Sequence, residues 1–251
     1  MKLILIGANG KIGELVQKAL AGAGHEIVKV GHKSGDFQVE IENRESIRKL
    51  YQSVGLFDAV AIAAGAVVFA PLSEFTAEKW QFSLGSKLMG QINLVQEAIP
   101  FIKEKGSFTL VSGILNDEPI LAGVAASTVS GALEAFVRAA AIELPKGLRI
   151  NVVSPTMLKE SESQFAQFFI GMIPVEGWKV GQAYKRAILG AQTGCQGRSK
   201  TRPLGRSKSR PVVASSGCWV CGVEGPLERS GRGPSTPRRV RRMGSVFCGS
   251  V

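Results

Sequence analysis

Gly7, Gly10 and Gly13 stand three apart in the run GANGKIG at 7–13, directly after the apolar stretch Leu3–Ile6. Glycines at this spacing let a backbone turn with positive φ and approach a bulky anion closely. If a helix opens at residue 11, its first amides and its dipole favour negative charge. The implied chemistry is capture of a pyrophosphate on main-chain amides, with Asn9, Lys11 and Ile12 in the same turn. About 20 residues further on, a dinucleotide site meets the adenosine ribose, and an acid there binds the 2′-hydroxyl. This chain reads Gly31-His32-Lys33-Ser34 at that place. His32, Lys33 and Ser34 can hold a 2′-phosphate, which points to NADP with NAD allowed, or they form an ordinary polar surface turn.

Such a loop works only between a strand and a helix, so the surrounding elements decide its worth. Apolar runs at 2–7, 25–31, 37–41, 57–65, 107–115 and 148–155 read as strands. Helical periods cover 11–24, 43–55, 76–106, 124–144 and 177–192. Asn43 is a candidate cap for the second helix, and Gly85 and Gly90 interrupt the third. Strand–helix alternation predicts a doubly wound parallel sheet with helices on both faces, a three-layer α/β/α architecture.

The net charge of +11 suggests a nucleic-acid partner until it is located. Residues 195–251 hold 12 Lys and Arg against two Asp and Glu, which leaves the first 194 residues nearly neutral. That segment is rich in Arg, Ser, Gly and Pro and shows no helix or strand period. It reads as a disordered basic tail, or as the product of a shifted reading frame falling where one more strand is expected. Nucleic acid is accordingly an unlikely partner, reached only through this tail, whose aromatics Trp219 and Phe247 make a poor stacking platform. The domain boundary is expected at Gly194, with a dinucleotide-binding domain over 1–194.

All four cysteines, Cys195, Cys218, Cys221 and Cys248, also lie beyond that boundary. They offer no disulfide framework for the body, and their spacings fit no zinc ribbon, so no metal is expected. The apolar runs are too short to span a bilayer, and the first residues are too short for a signal-peptide core, so a cytoplasmic location is expected.

The body resembles a short-chain dehydrogenase/reductase. The resemblance covers residues 1–194 and rests on GANGKIG, Ala63-Ala64-Gly65, LVSGI at 110–114, SGALEAFVRAAAIEL at 130–144 and LRINVVSP at 148–155. It implies an NAD(P)-dependent oxidoreductase acting on a small carbonyl or alcohol, which can form a homo-oligomer. It further implies that Ala63, Ala64 and Gly65 border the coenzyme and that Pro155 and Thr156 lie by its carboxamide. The family's catalytic set is Ser, Tyr, Lys and a helix Asn. Ser112 matches the Ser, whereas Ala126, Ser130 and Lys87 occupy the places of Tyr, Lys and Asn. Neither Tyr51 nor Tyr184 is in register to replace the missing Tyr. Lys87 then becomes the candidate electrophile and Ser112 the group that orients substrate. The rival expectation is a nucleotide sensor that binds NADP(H) without chemistry. Phe165, Phe168 and Phe169 either line an apolar lid over the substrate or pack in the core.

Overall fold

A computed structural model of the chain describes residues 1–198. The Cys218–Cys221 pair, Cys248 and the basic tail from residue 199 lie outside the described residues.

The elements run β1 Lys2–Ile6, α1 Lys11–Leu20, β2 Glu26–Gly31, β3 Phe37–Gln38, α2 Arg44–Val54 and β4 Phe57–Ile62. They continue with α3 Ala77–Ser83, a π-helical turn Leu84–Met89, α4 Gly90–Ala98, β5 Ile102–Val111 and α5 Val124–Glu143. Then come β6 Arg149–Ser154, the single turn α6 Glu162–Phe165, α7 Gly177–Leu189 and β7 Gln196–Arg198. The strands pair in parallel in the order β3-β2-β1-β4-β5-β6-β7. The order reverses between β1 and β4, and a crevice at such a switch point is where open α/β sheets take their ligands.

The expected doubly wound architecture is therefore present, and its cause is visible in the burial. Both faces of the central strands are covered, so Leu3, Ile4, Leu5 and Ile6 are all buried and the strand reads as unbroken apolar text. One face packs Ile47, Leu50, Leu94 and Leu133 from α2, α4 and α5; the other packs Val16, Leu20, Val180 and Ile188 from α1 and α7. Each fully buried Leu or Ile contributes about 1.5–3 kcal/mol over an exposed one. The two tyrosines belong to this packing. Tyr51 Oη donates to the Leu94 carbonyl at 3.0 Å and Tyr184 Oη to the Ile62 carbonyl at 2.7 Å, so each buried phenol ties a helix to its surroundings. Burial pushes both phenols above their ordinary pKa.

Three boundaries differ from the sequence reading. The helix expected over 76–106 ends at Ala98, because Pro100 cannot supply the amide that would continue it, and β5 starts at Ile102. The strand expected over 37–41 pairs only at Phe37 and Gln38; residues 39–42 peel off toward the crevice. The sheet also runs past Gly194: Gln196, Gly197 and Arg198 pair with Val152, Val153 and Ser154 as a seventh strand.

Candidate functional site

The crevice at the switch point has a volume of about 510 Å³. Its walls include Gly7 from the end of β1, Gly31 and His32 from the end of β2, Ala63, Ala64 and Gly65 after β4, and Ser86 from the π-turn. Gly7 has φ +82°, and a Cβ there would lie 2.5 Å from the Ala63 carbonyl oxygen, so the loop closes only around a glycine. Its amide and that of Ala8 donate to the Val30 carbonyl, at 2.8 and 3.2 Å, which fixes the loop against β2. Gly10 is the N-cap of α1 and contributes no side-chain bond, and Gly13 is buried in the first turn. No side-chain cap closes that end of the helix, the arrangement that suits an anion at a helix N-terminus. At α2, by contrast, Asn43 accepts from the amides of Glu45 and Ser46 at 2.9 and 3.2 Å and closes the helix end.

The residues expected to meet the coenzyme differ in what they touch. Asn9 Nδ2 donates to Ser34 Oγ at 2.7 Å, linking the glycine loop to the turn after β2. Lys11 Nζ donates to Ser161 Oγ at 2.9 Å, reaching the segment after β6. His32 is engaged with Glu40, Nε2 to Oε1 at 3.0 Å, and the Lys33 carbonyl accepts from Gln38 Nε2 at 3.0 Å. Ile12 packs partly buried against the α1–α7 core. Pro155 and buried Thr156 sit at the end of β6, where the Pro155 carbonyl accepts from the Ile114 amide at 3.2 Å. They are not among the crevice-lining residues.

Lys87 lies in the π-turn, a distortion of the helix often found at functional sites. The Gly90 amide donates to the Gly85 carbonyl, the i→i+5 bond that defines the turn. Ser83 and Ser86 accept from the amides of Val68 and Ala66 at 3.1 and 3.2 Å and so stitch the turn to the segment after β4. Gly65, at φ +106°, lets Lys87 approach: a Cβ there would stand 3.0 Å from Lys87 Cα. Lys87 is half-buried, and among the described residues its ammonium has no hydrogen-bond or ion-pair partner. Burial pushes its pKa down to about 8. Lys87 itself is not among the crevice-lining residues, but its neighbours Ser86 and Gly65 are.

Buried Gln91, which the sequence reading passed over, joins this turn to β5. Its Nε2 donates to the carbonyls of Lys87 (2.9 Å) and Val111 (2.8 Å), while its Oε1 accepts from the Val111 amide at 2.9 Å. One side chain thereby sets Lys87 relative to the end of β5, just before Ser112. The i, i+4 spacing of Lys87 and Gln91 is the sequence signal for it.

Ser112 faces inward. It is 4 % exposed, bonds with Ser154 Oγ, and reaches Glu134 Oε1 at 3.3 Å. Ser154 Oγ also donates to Glu134 Oε1 at 3.0 Å, Asn116 Nδ2 donates to Oε2 at 2.8 Å, and Gln196 Nε2 donates to Oε1. Every one of these partners is neutral. The two serine hydroxyls carry two protons: one serves the Ser112–Ser154 bond and the other the carboxylate. Glu134 belongs to a helix face that runs Ala126, Ser130, Glu134 at intervals of four, all buried. The places of the family's Tyr and Lys thus lead to a carboxylate one turn deeper. Ala126 itself joins a small apolar cluster with Ile114 and Leu115, against which Phe169 and Met172 pack; Phe165 and Phe168 are exposed.

Comparison with known proteins agrees with this architecture. Residues 1–175 match the family described as enoyl-(acyl carrier protein) reductase. The crystal structure of the protein lin1944 from Listeria innocua is 44% identical, covers 80% of this chain and 100% of its own, and superposes with a TM-score of 0.78. An uncharacterized oxidoreductase of Methylorubrum extorquens is 28% identical over 150 residues, which span 59% of each chain. A small-chain dehydrogenase solved in complex with NADPH, 20% identical, covers 79% of this chain and 95% of its own with a TM-score of 0.69. The glycine loop, the seven-stranded parallel sheet and the match over most of the described residues together place this chain in the short-chain dehydrogenase/reductase superfamily.

Proposed function

We propose that the chain holds NADP(H) in the crevice and uses it to reduce a small carbonyl, or to oxidise the matching alcohol, with Lys87 meeting the charge that develops on the substrate oxygen. The pyrophosphate rests on the amides of 7–13. Lys33 and Ser34, assisted by His32, receive the 2′-phosphate. The relative solved with NADPH supports this choice of coenzyme. When bound, the reduced coenzyme would supply the hydride to a carbonyl, and the oxidised coenzyme would accept it from an alcohol.

The observation that carries the reading is the state of Lys87. An amine with no partner among the described residues, set beside Gly65 and with its pKa lowered to about 8 by burial, is suited to give a proton to an alkoxide and take it back in reverse. Gln91 keeps the Lys87 backbone in place during that exchange. Ser112 supports the floor of the site through Ser154 and Glu134, because its own proton is already engaged there.

A sensor that binds coenzyme without hydride transfer is the second reading. Ala126 and Ser130, where the family carries its proton-transfer pair, favour it. Absorbance of NADPH followed across a panel of aldehydes, ketones and quinones separates the two. Oxidation of NADPH by any of them, lost in Lys87→Met, supports the enzyme. Saturable binding with no oxidation across the panel supports the sensor.

A further inference from the structure

Where the crevice is lined by the ends of β2 and β3, His32 and Glu40 form a hydrogen-bonded pair that a 2′-phosphate would compete with. His32 follows β2 and Glu40 follows β3, and their side chains meet with Nε2 3.0 Å from Oε1. Both side chains are largely exposed, at 64% and 66%, and both residues line the crevice. A dinucleotide site that prefers a free 2′-hydroxyl takes its acid from the end of the second strand. Here that strand ends without one, and an acid from beyond the neighbouring strand reaches His32 instead.

The two side chains have opposite preferences. A carboxylate accepts a bond from a ribose hydroxyl and repels a phosphate dianion. An imidazole ring nitrogen that donates to Glu40 cannot donate to a phosphate at the same time. The anchorage is unequal as well. The Glu40 amide donates to Ser46 Oγ at 3.1 Å, and Ser46 belongs to the capped first turn of α2, so this acid is held by a closed helix end. His32 sits on the turn with Lys33 and Ser34. Of the other acids nearby, Asp36 accepts from the Lys29 amide at 2.8 Å and is turned back onto β2. Glu42 lies over Gly85, whose Cβ would stand 3.3 Å from its Oε2. Glu40 is therefore the carboxylate placed to compete for His32.

We infer that Glu40 is a specificity-determining residue, which opposes a 2′-phosphate and holds His32 away from it, so that the choice between NADPH and NADH is set by whether His32 stays on Glu40 or moves to the phosphate. This rests on the coenzyme reading given above. Exposed pairs of this kind are worth no more than about 1 kcal/mol, so a dianion that also meets Lys33 can break the pair.

Fluorescence titration of the full chain with NADPH and with NADH tests it, using the parent, Glu40→Gln and His32→Ala. Glu40→Gln is expected to tighten NADPH about fivefold while leaving NADH unchanged or weaker. His32→Ala is expected to weaken NADPH by a similar factor. A ratio of the two dissociation constants that stays within about twofold of the parent's in Glu40→Gln overturns the assignment, and so does weaker NADPH binding in that variant. If the parent binds neither coenzyme, the coenzyme reading falls and the selection with it; an unchanged ratio with both coenzymes bound sinks the selection alone.

Discussion

The turn from β1 into α1 and the end of β5 beside α5 treat their polar groups in opposite ways. At the first, Gly10 offers no side chain to cap the start of the helix. At the second, Ser112, Ser154, Asn116 and Gln196 all close on Glu134. An open set of donors waits for an anion from outside; a closed set has found its anion within the fold. The glycine turn between β1 and α1 is the half proposed to hold the coenzyme. Around α5, Ala126, Ser130 and Glu134 are all buried, and the proposed chemistry therefore falls to Lys87.

The sharpest way to break that contrast is to close the open end. Gly7→Val forces a branched side chain into φ +82° and against the Ala63 carbonyl. The strain alone costs about 1–3 kcal/mol of stability. Because the loop must move to relieve it, NADPH binding should vanish, a loss of more than about 4 kcal/mol by titration. Gly22→Val is the control, since Gly22 also has positive φ, at +77°, but open space around it. It should lower the melting temperature and leave binding intact. Equal loss of binding in both variants would remove the special status of the glycine loop.

Lys87→Met separates binding from chemistry. Turnover should fall by about 100-fold or more, as for loss of an electrostatic contact to a developing oxyanion, while the NADPH dissociation constant stays within about twofold. The variant should also melt higher, because an amine that burial holds at about 8 favours unfolding wherever it is charged. The unfolded chain keeps its proton up to the ordinary value of 10.5, so stability rises as pH goes from about 8 to 10.5, and the gain from Lys87→Met is largest below about 8. For the parent enzyme, reduction requires the ammonium and should slow as pH climbs through about 8; oxidation should speed up over the same interval. A flat profile in both directions would exclude Lys87 as the proton carrier.

Much of the open half could be read from the sequence, because its determinants are local. A strand, three glycines and a helix start occupy one short run, and Asn43 and Gly55 bracket α2 as caps should. Pro100 was equally local, yet the helical period carried the reading past it. The closed half was harder because its partners come from far apart. Glu134 could be found from its spacing to Ser130, but Ser154 meets it only once β6 lies beside β5, and Gln196 only once β7 lies beside β6. Glu40 was hidden for the same reason. An acid is expected at the end of β2, whereas the fold delivers one through the pairing of Val30 with Phe37.

The smallest expected effect tests whether the closed half is structural or active. Glu134→Ala removes the acceptor shared by Ser112, Ser154 and Asn116, leaving buried donors without partners at about 1–3 kcal/mol of lost stability by chemical denaturation. Glu134→Gln keeps an acceptor oxygen but replaces the other with a donor, so the Asn116 or the serine side must give up its bond. It should cost about half as much. If the network only supports the floor of the site, both variants that remain folded bind NADPH as the parent does, and their turnover follows the folded fraction. If instead Glu134 passes protons to the substrate, Glu134→Gln loses turnover far beyond its loss of stability, and the pH dependence assigned to Lys87 changes shape. That second pattern would show that the carboxylate one turn below Ser130 has taken over the work of the missing pair, and the contrast between an open binding end and a closed core would no longer hold.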